Sequence, residues 1–120
     1  MPTSKFEEKC RKIIEEKLGV KFVSSRPSFL KNPETGRCLE LDLYNENLKL
    51  AFEVQGIQHY QFPNIYHKTE KDFIEQIRRD RYKKEVCKIL NITLITIPYS
   101  FEGKSLEKKI EKLLKEKNIM

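Results

Sequence analysis

The rhythm of apolar and polar positions changes several times along the chain, and each change marks an element. Phe6, Cys10, Ile13, Ile14 and Leu18 share one stripe at helical spacing, which predicts a first helix. Ser4-Lys5-Phe6-Glu7 is a capping-box pattern at its start, and Gly19 is suited to end it in a left-handed conformation. Glu7 borders the stripe, so it can look toward the sheet as well as cap; capping is the simpler role. Val20 to Val23 reads as a short strand and Ser24 to Arg37 as a polar loop.

From Leu39 to Tyr44 the pattern turns to period two, with Leu41 and Leu43 on the buried face and Asp42 pointing away. After Asn45-Glu46-Asn47 the run Leu48 to Gln55 resumes as a second strand, with Phe52 and Val54 on one face and Ala51, Glu53 and Gln55 on the other. If the hairpin pairs about that turn, Asp42 and Glu53 lie on adjacent strands and can converge. Gln61 to Lys71 is a second loop, in which Phe62 and Tyr66 interleave with His67 and Lys68.

Helical spacing returns from about Thr69 to Leu90, with Phe73, Ile74, Ile77, Tyr82, Val86, Ile89 and Leu90 as the expected buried side. Ile92 to Ile97 is a β-branched run bounded by Asn91 and Pro98, the sign of a buried strand, and a right-handed crossover would lay it parallel to a hairpin strand. Leu106, Ile110, Leu113 and Leu114 define a lysine-rich last helix. The result is a single α/β domain over 1–120 in the order α-β-β-β-α-β-α.

Charge sharpens this picture. With 24 Lys and Arg against 18 Asp and Glu, the net charge is +6, which favours an acidic partner and nucleic acid first. Arg26, Lys31 and Arg37 on the first loop, Gln58 after the hairpin, and Arg78, Arg81 and Lys84 on the second helix are the candidate nucleic-acid contacts, although loop cations and lysine-rich helices are often only solvated. Three distant cysteines without C-x-x-C spacing argue against a disulfide framework or a zinc site. No apolar run is long enough to cross a bilayer, so the expectation is a soluble protein of cytoplasm or nucleus with no membrane partner.

The candidate chemistry sits on the hairpin. Asp42 and Glu53 converging with an amide oxygen such as that of Gln55 suit a hard divalent cation, Mg²⁺ first and Mn²⁺ as an alternative. Such an ion polarises a phosphodiester and activates water. Gly56 turns the chain back, bringing Gln58 and His59 near the carboxylates, where His59 can act as a base or donate to phosphate. The bland alternative is a pair of exposed strand carboxylates, with Lys83 merely pairing Asp80 one turn earlier on the helix.

Taken together, S-x-x-E at Ser4 to Glu7, L-D-L-Y at Leu41 to Tyr44, F-E-V-Q-G-I-Q-H-Y at Phe52 to Tyr60, R-D-x-x-K at Arg79 to Lys83 and N-I-T-L-I-T-I-P-Y at Asn91 to Tyr99 resemble the PD-(D/E)XK, or restriction-endonuclease-like, nuclease superfamily. The likeness is to the very short patch repair endonuclease-like branch, which includes EDxHD homing endonucleases and small nucleases of phages and large DNA viruses. The resemblance implies that Glu7 is the acid bordering the site, Asp42 the central metal ligand and Glu53 the second acid. It implies that His59 acts on the phosphate or the water and that Lys83 lies beside the site or the DNA. Gln55 departs from the usual lysine or aspartate.

The implied activity is a metal-dependent DNA endonuclease, selective for mismatch, branch or nick structures or of a homing or repair type. Cutting both strands would call for two sites, most simply in a homodimer. The alternatives are a non-catalytic nucleic-acid-binding module with a decayed site, or an interaction domain whose charges only solubilise it.

Overall fold

The computed structural model describes residues 5–55 and 69–120. In chain order its elements are α1 (Lys5–Leu18), β1 (Val23–Ser25), a 3-10 turn (Ser28–Leu30), β2 (Leu41–Asn45), β3 (Leu50–Gln55), α2 (Glu70–Ile89), β4 (Thr93–Pro98), a second 3-10 turn (Tyr99–Phe101) and α3 (Leu106–Glu116). The fold is α/β. Four strands form one mixed sheet in the order β1-β2-β3-β4. β2 and β3 pair antiparallel, and β4 lies parallel to β3, as its crossover position after α2 predicts.

Each face of the sheet is covered differently. Phe6, Cys10 and Ile14 of α1 and Leu106, Ile110 and Leu114 of α3 pack with Leu43, Leu50, Phe52, Ile95 and Ile97 into the larger apolar cluster. Phe22 joins it and meets the Phe52 ring edge-on at 5.5 Å. Gly19 ends α1 at φ +69°, where a residue with a Cβ would be strained, and its N–H donates to the Glu15 carbonyl at 2.9 Å. On the other face Leu30, Leu41, Ala51, Cys87 and Ile92 form a smaller cluster beneath α2.

Two expectations are corrected. The first strand is not 20–23: Phe22 plunges into the core, so pairing starts only at Val23 and extends into the segment read as loop. That segment also holds the first 3-10 turn and a bridge between Lys31 and Cys38. α2 does not bury the apolar residues expected of it: Ile74, Ile77, Ile89 and Leu90 are exposed, and only Cys87 is fully buried. The helix instead turns a largely polar stripe, Gln76, Asp80, Lys83 and Cys87, toward the sheet, because these positions recur at intervals of three and four.

Candidate active site

A β-bulge builds the site. Val23 pairs with Tyr44 and Ser25 with Leu41, so one residue of β1, Ser24, opposes two of β2, Asp42 and Leu43. The extra residue breaks the alternation. Leu43 therefore enters the larger cluster while Leu41 enters the smaller one across the sheet, which corrects the expectation that the two leucines share a face. Asp42, between them, is turned toward β3.

On that side the ladder runs Asn45↔Leu50, Tyr44↔Ala51, Leu43↔Phe52. One step further, side chains bridge the strands reciprocally. Glu53 Oε2 accepts from the Asp42 N–H at 2.9 Å, and Asp42 Oδ2 accepts from the Val54 N–H at 2.9 Å. Each carboxylate is thereby fixed by its neighbour's backbone. Glu53 is only 6% exposed. Burial, and then the charge of Glu53, push the Asp42 carboxyl up to about 8; the Val54 N–H and Lys83 oppose that rise, and Glu7 adds to it.

α2 supplies the cation. Thr69 caps its start, accepting from the Asp72 N–H at 3.2 Å, and Tyr82 donates its hydroxyl proton to the Lys31 carbonyl at 2.7 Å. Lys83 lies one turn before the buried Cys87 and so faces the sheet. Its Nζ donates to Glu53 Oε1 at 2.6 Å, with both side chains largely buried. Lys83 is thus more than a surface partner for Asp80. Gln55, 8% exposed, lines the same small hollow together with Glu53, Asp80, Lys83 and Thr96.

Glu7 on α1 is half-buried, and its carboxyl is held above the usual range by burial first and then by Glu40, Glu53 and Glu8. The first turn of α1 therefore borders the carboxylates. Ser4, its expected capping partner, lies outside the described residues, as do Gln58 and His59. Among the described residues no set of three His, Cys, Asp or Glu side chains gathers as a ligand group. The donor set is two carboxylates and a nearby amide, all hard oxygens, where burial first and the charge of Glu53 second keep Asp42 from ionising readily. That chemistry fits a divalent cation.

The expected nucleic-acid contacts divide into two groups. Arg26 is engaged within the chain, pairing with Glu40 at 3.3 Å and donating to the Cys38 carbonyl at 3.1 Å. Lys31, Arg37, Arg78, Arg81 and Lys84 are exposed. Arg79, which opens the R-D-x-x-K motif, is engaged within the helix and donates to Gln76 at 3.0 Å.

No family model matches the chain, and no solved structure matches it. Viral proteins do. Over 112 residues, 92% of this chain and 71% of its counterpart, it is 41% identical to Uncharacterized protein 094L of Frog virus 3 (isolate Goorha). The chain belongs to the 094L family. The chain is also similar to Uncharacterized protein 033L of Invertebrate iridescent virus 3, 36% identical over 99 residues, and to Uncharacterized protein 307L of Invertebrate iridescent virus 6, 39% identical over 112 residues. The matches cover 82% and 81% of this chain but 51% and 57% of those proteins, so the chain spans little more than half of their length. All three relatives come from large DNA viruses. Among the described residues no helix is long and apolar enough to cross a membrane.

Proposed function

We propose that this chain is the catalytic part of a divalent-metal-dependent DNA endonuclease of the restriction-endonuclease-like kind. The observation that carries the reading is the bulge that turns Asp42 against Glu53, with Lys83 drawn in from α2 to the same carboxylates. Asp42, Glu53 and Gln55 are the residues that would hold Mg²⁺ or Mn²⁺. Such an ion polarises the phosphodiester and lowers the pKa of water.

The chain's own groups do the rest. The backbone N–H groups of Asp42 and Val54 hold the two carboxylates in register, so little reorganisation is needed. The Lys83 ammonium, the amine that position 55 lacks, stands where it can neutralise charge gathering on the phosphate oxygens. Gln55 can orient a water through its amide oxygen, and Glu7, held above the usual carboxylate range, is suited to take up a proton. Water adds to phosphorus, one P–O bond to the sugar breaks, and the departing sugar oxygen is protonated.

One observation favours a second reading, a DNA-binding module without catalysis. Lys83 already neutralises Glu53, and Gln55 carries no charge, so the pocket is balanced without a metal.

The deciding experiment incubates the protein with labelled paired, mismatched, nicked and four-way-junction DNA in Mg²⁺, Mn²⁺ or EDTA, alongside Glu53→Ala. Metal-dependent cutting that falls at least about a hundredfold in the variant is the expected result. Binding without cutting in either metal turns the assignment to the second reading.

A further inference from the structure

Glu53 is held at both carboxylate oxygens. Oε2 accepts from the Asp42 N–H at 2.9 Å, and Oε1 accepts from the Lys83 ammonium at 2.6 Å. Both side chains of the ion pair are largely buried. The oxygen that a divalent cation would need is therefore covered by a charge of the same sign as the cation.

The cover is removable. Lys83 reaches Glu53 from the end of a flexible four-carbon stem. The backbone beneath it is pinned by the buried Cys87 one turn on and by the Tyr82 hydroxyl on the Lys31 carbonyl. The exposed Lys84 lines the same hollow as Lys83, so the hollow opens to the surface. The ammonium can thus swing outward while α2 stays in place.

Charge balance sets when that happens. With the pair closed, Glu53 and Lys83 cancel. A phosphodiester that drew the ammonium off alone would strand the buried Glu53 carboxylate, and a cation that entered alone would meet the ammonium. When both arrive, Asp42 and Glu53 answer the cation, Lys83 answers the phosphodiester, and no buried charge is left unmatched.

We propose that Lys83 is a latch on the metal site: paired with Glu53 it keeps the cation out, and a DNA phosphodiester opens it by taking the ammonium, so that metal and DNA bind cooperatively. The inference rests on the endonuclease reading for its metal and its DNA, and adds the coupling between them.

The test is Mn²⁺ affinity, read from the electron paramagnetic resonance signal of free Mn²⁺, with and without a short phosphorothioate duplex that keeps its charge and resists cutting. Uptake by the duplex alone is subtracted. In the parent protein the duplex is expected to raise Mn²⁺ affinity by about tenfold or more, and Mn²⁺ to raise duplex affinity by the same factor. Lys83→Gln, a neutral donor in place of the ammonium, and Lys83→Met are each expected to bind Mn²⁺ about tenfold more tightly than the parent without DNA, and to gain less than about threefold from the duplex. Two variants, checked by circular dichroism, keep the comparison available if one fails to fold. An equal gain from the duplex in parent and variants overturns the latch. So does weaker Mn²⁺ binding in the variants, the mark of a lysine that only braces Glu53. Mn²⁺ uptake by the parent in either case leaves the endonuclease reading intact, whereas no uptake by parent or variants, with or without the duplex, overturns both.

Discussion

Where α1 and α3 cover the sheet, Phe6, Ile14, Phe52, Ile97, Ile110 and Leu114 close into one large apolar cluster. Where α2 covers it, a smaller cluster gives way two residues along β3, from Ala51 to Glu53, to the carboxylates and Lys83. The same strands serve both faces, so the difference lies in what each helix brings. α1 and α3 bring aliphatic and aromatic bulk, while α2 brings amides and charges. Burial on the first face stabilises the fold; burial on the second raises the energy of a charge, which Asp42 registers by resisting ionisation. A small domain can tolerate such a cost on one face because the other face is dry and well filled.

Truncation of the dry face should have the largest effect. Phe52→Ala is expected to cost about 3–5 kcal/mol, seen as a lower midpoint in denaturant and nearly independent of pH. Asp42→Asn should act with the opposite sign. Its amide keeps an oxygen for the Val54 N–H while removing a buried charge, so a gain of ~1–2 kcal/mol at pH 9, about 4–8 °C in Tm, is expected without metal. The folded state holds a proton on Asp42 from its ordinary value of 3.8 up to about 8, so this group's stabilisation is complete below about pH 4 and is lost as pH rises through 8. The variant's advantage should therefore shrink to nothing near pH 4, and thermal melts at both pH values check it. The smallest effect on stability belongs to the exposed cations of α2. Arg81→Ala with Lys84→Ala should shift stability by less than about 0.5 kcal/mol while lowering the salt slope of DNA binding by about one per residue, measured by titration at several salt concentrations.

Much of this plan was legible beforehand. Period-two alternation located the hairpin, β-branched residues located β4, and turn placement correctly brought Asp42 beside Glu53. The bulge was not legible, because neither glycine nor proline marks it and LELDLYN reads as an unbroken alternation; only pairing with β1 exposes the extra residue. α2 misled for a related reason. Its apolar residues are scattered around the axis, so no single stripe tells which side is buried, and Gln76 and Lys83 face the sheet in place of Ile74 and Ile77. The Lys83–Glu53 pair spans thirty residues. Helical spacing shows only the local neighbour, Asp80.

The bulge also sets how readily this chemistry is gained or lost. Deleting the one codon for Asp42 would leave Leu41 and Leu43 as neighbours alternating onto the two faces they already occupy, in a regular strand against β1. Reinserting that codon would restore the acid without redesigning either core. A single in-frame triplet can thus add or remove the buried acid while both leucines keep the faces they already occupy.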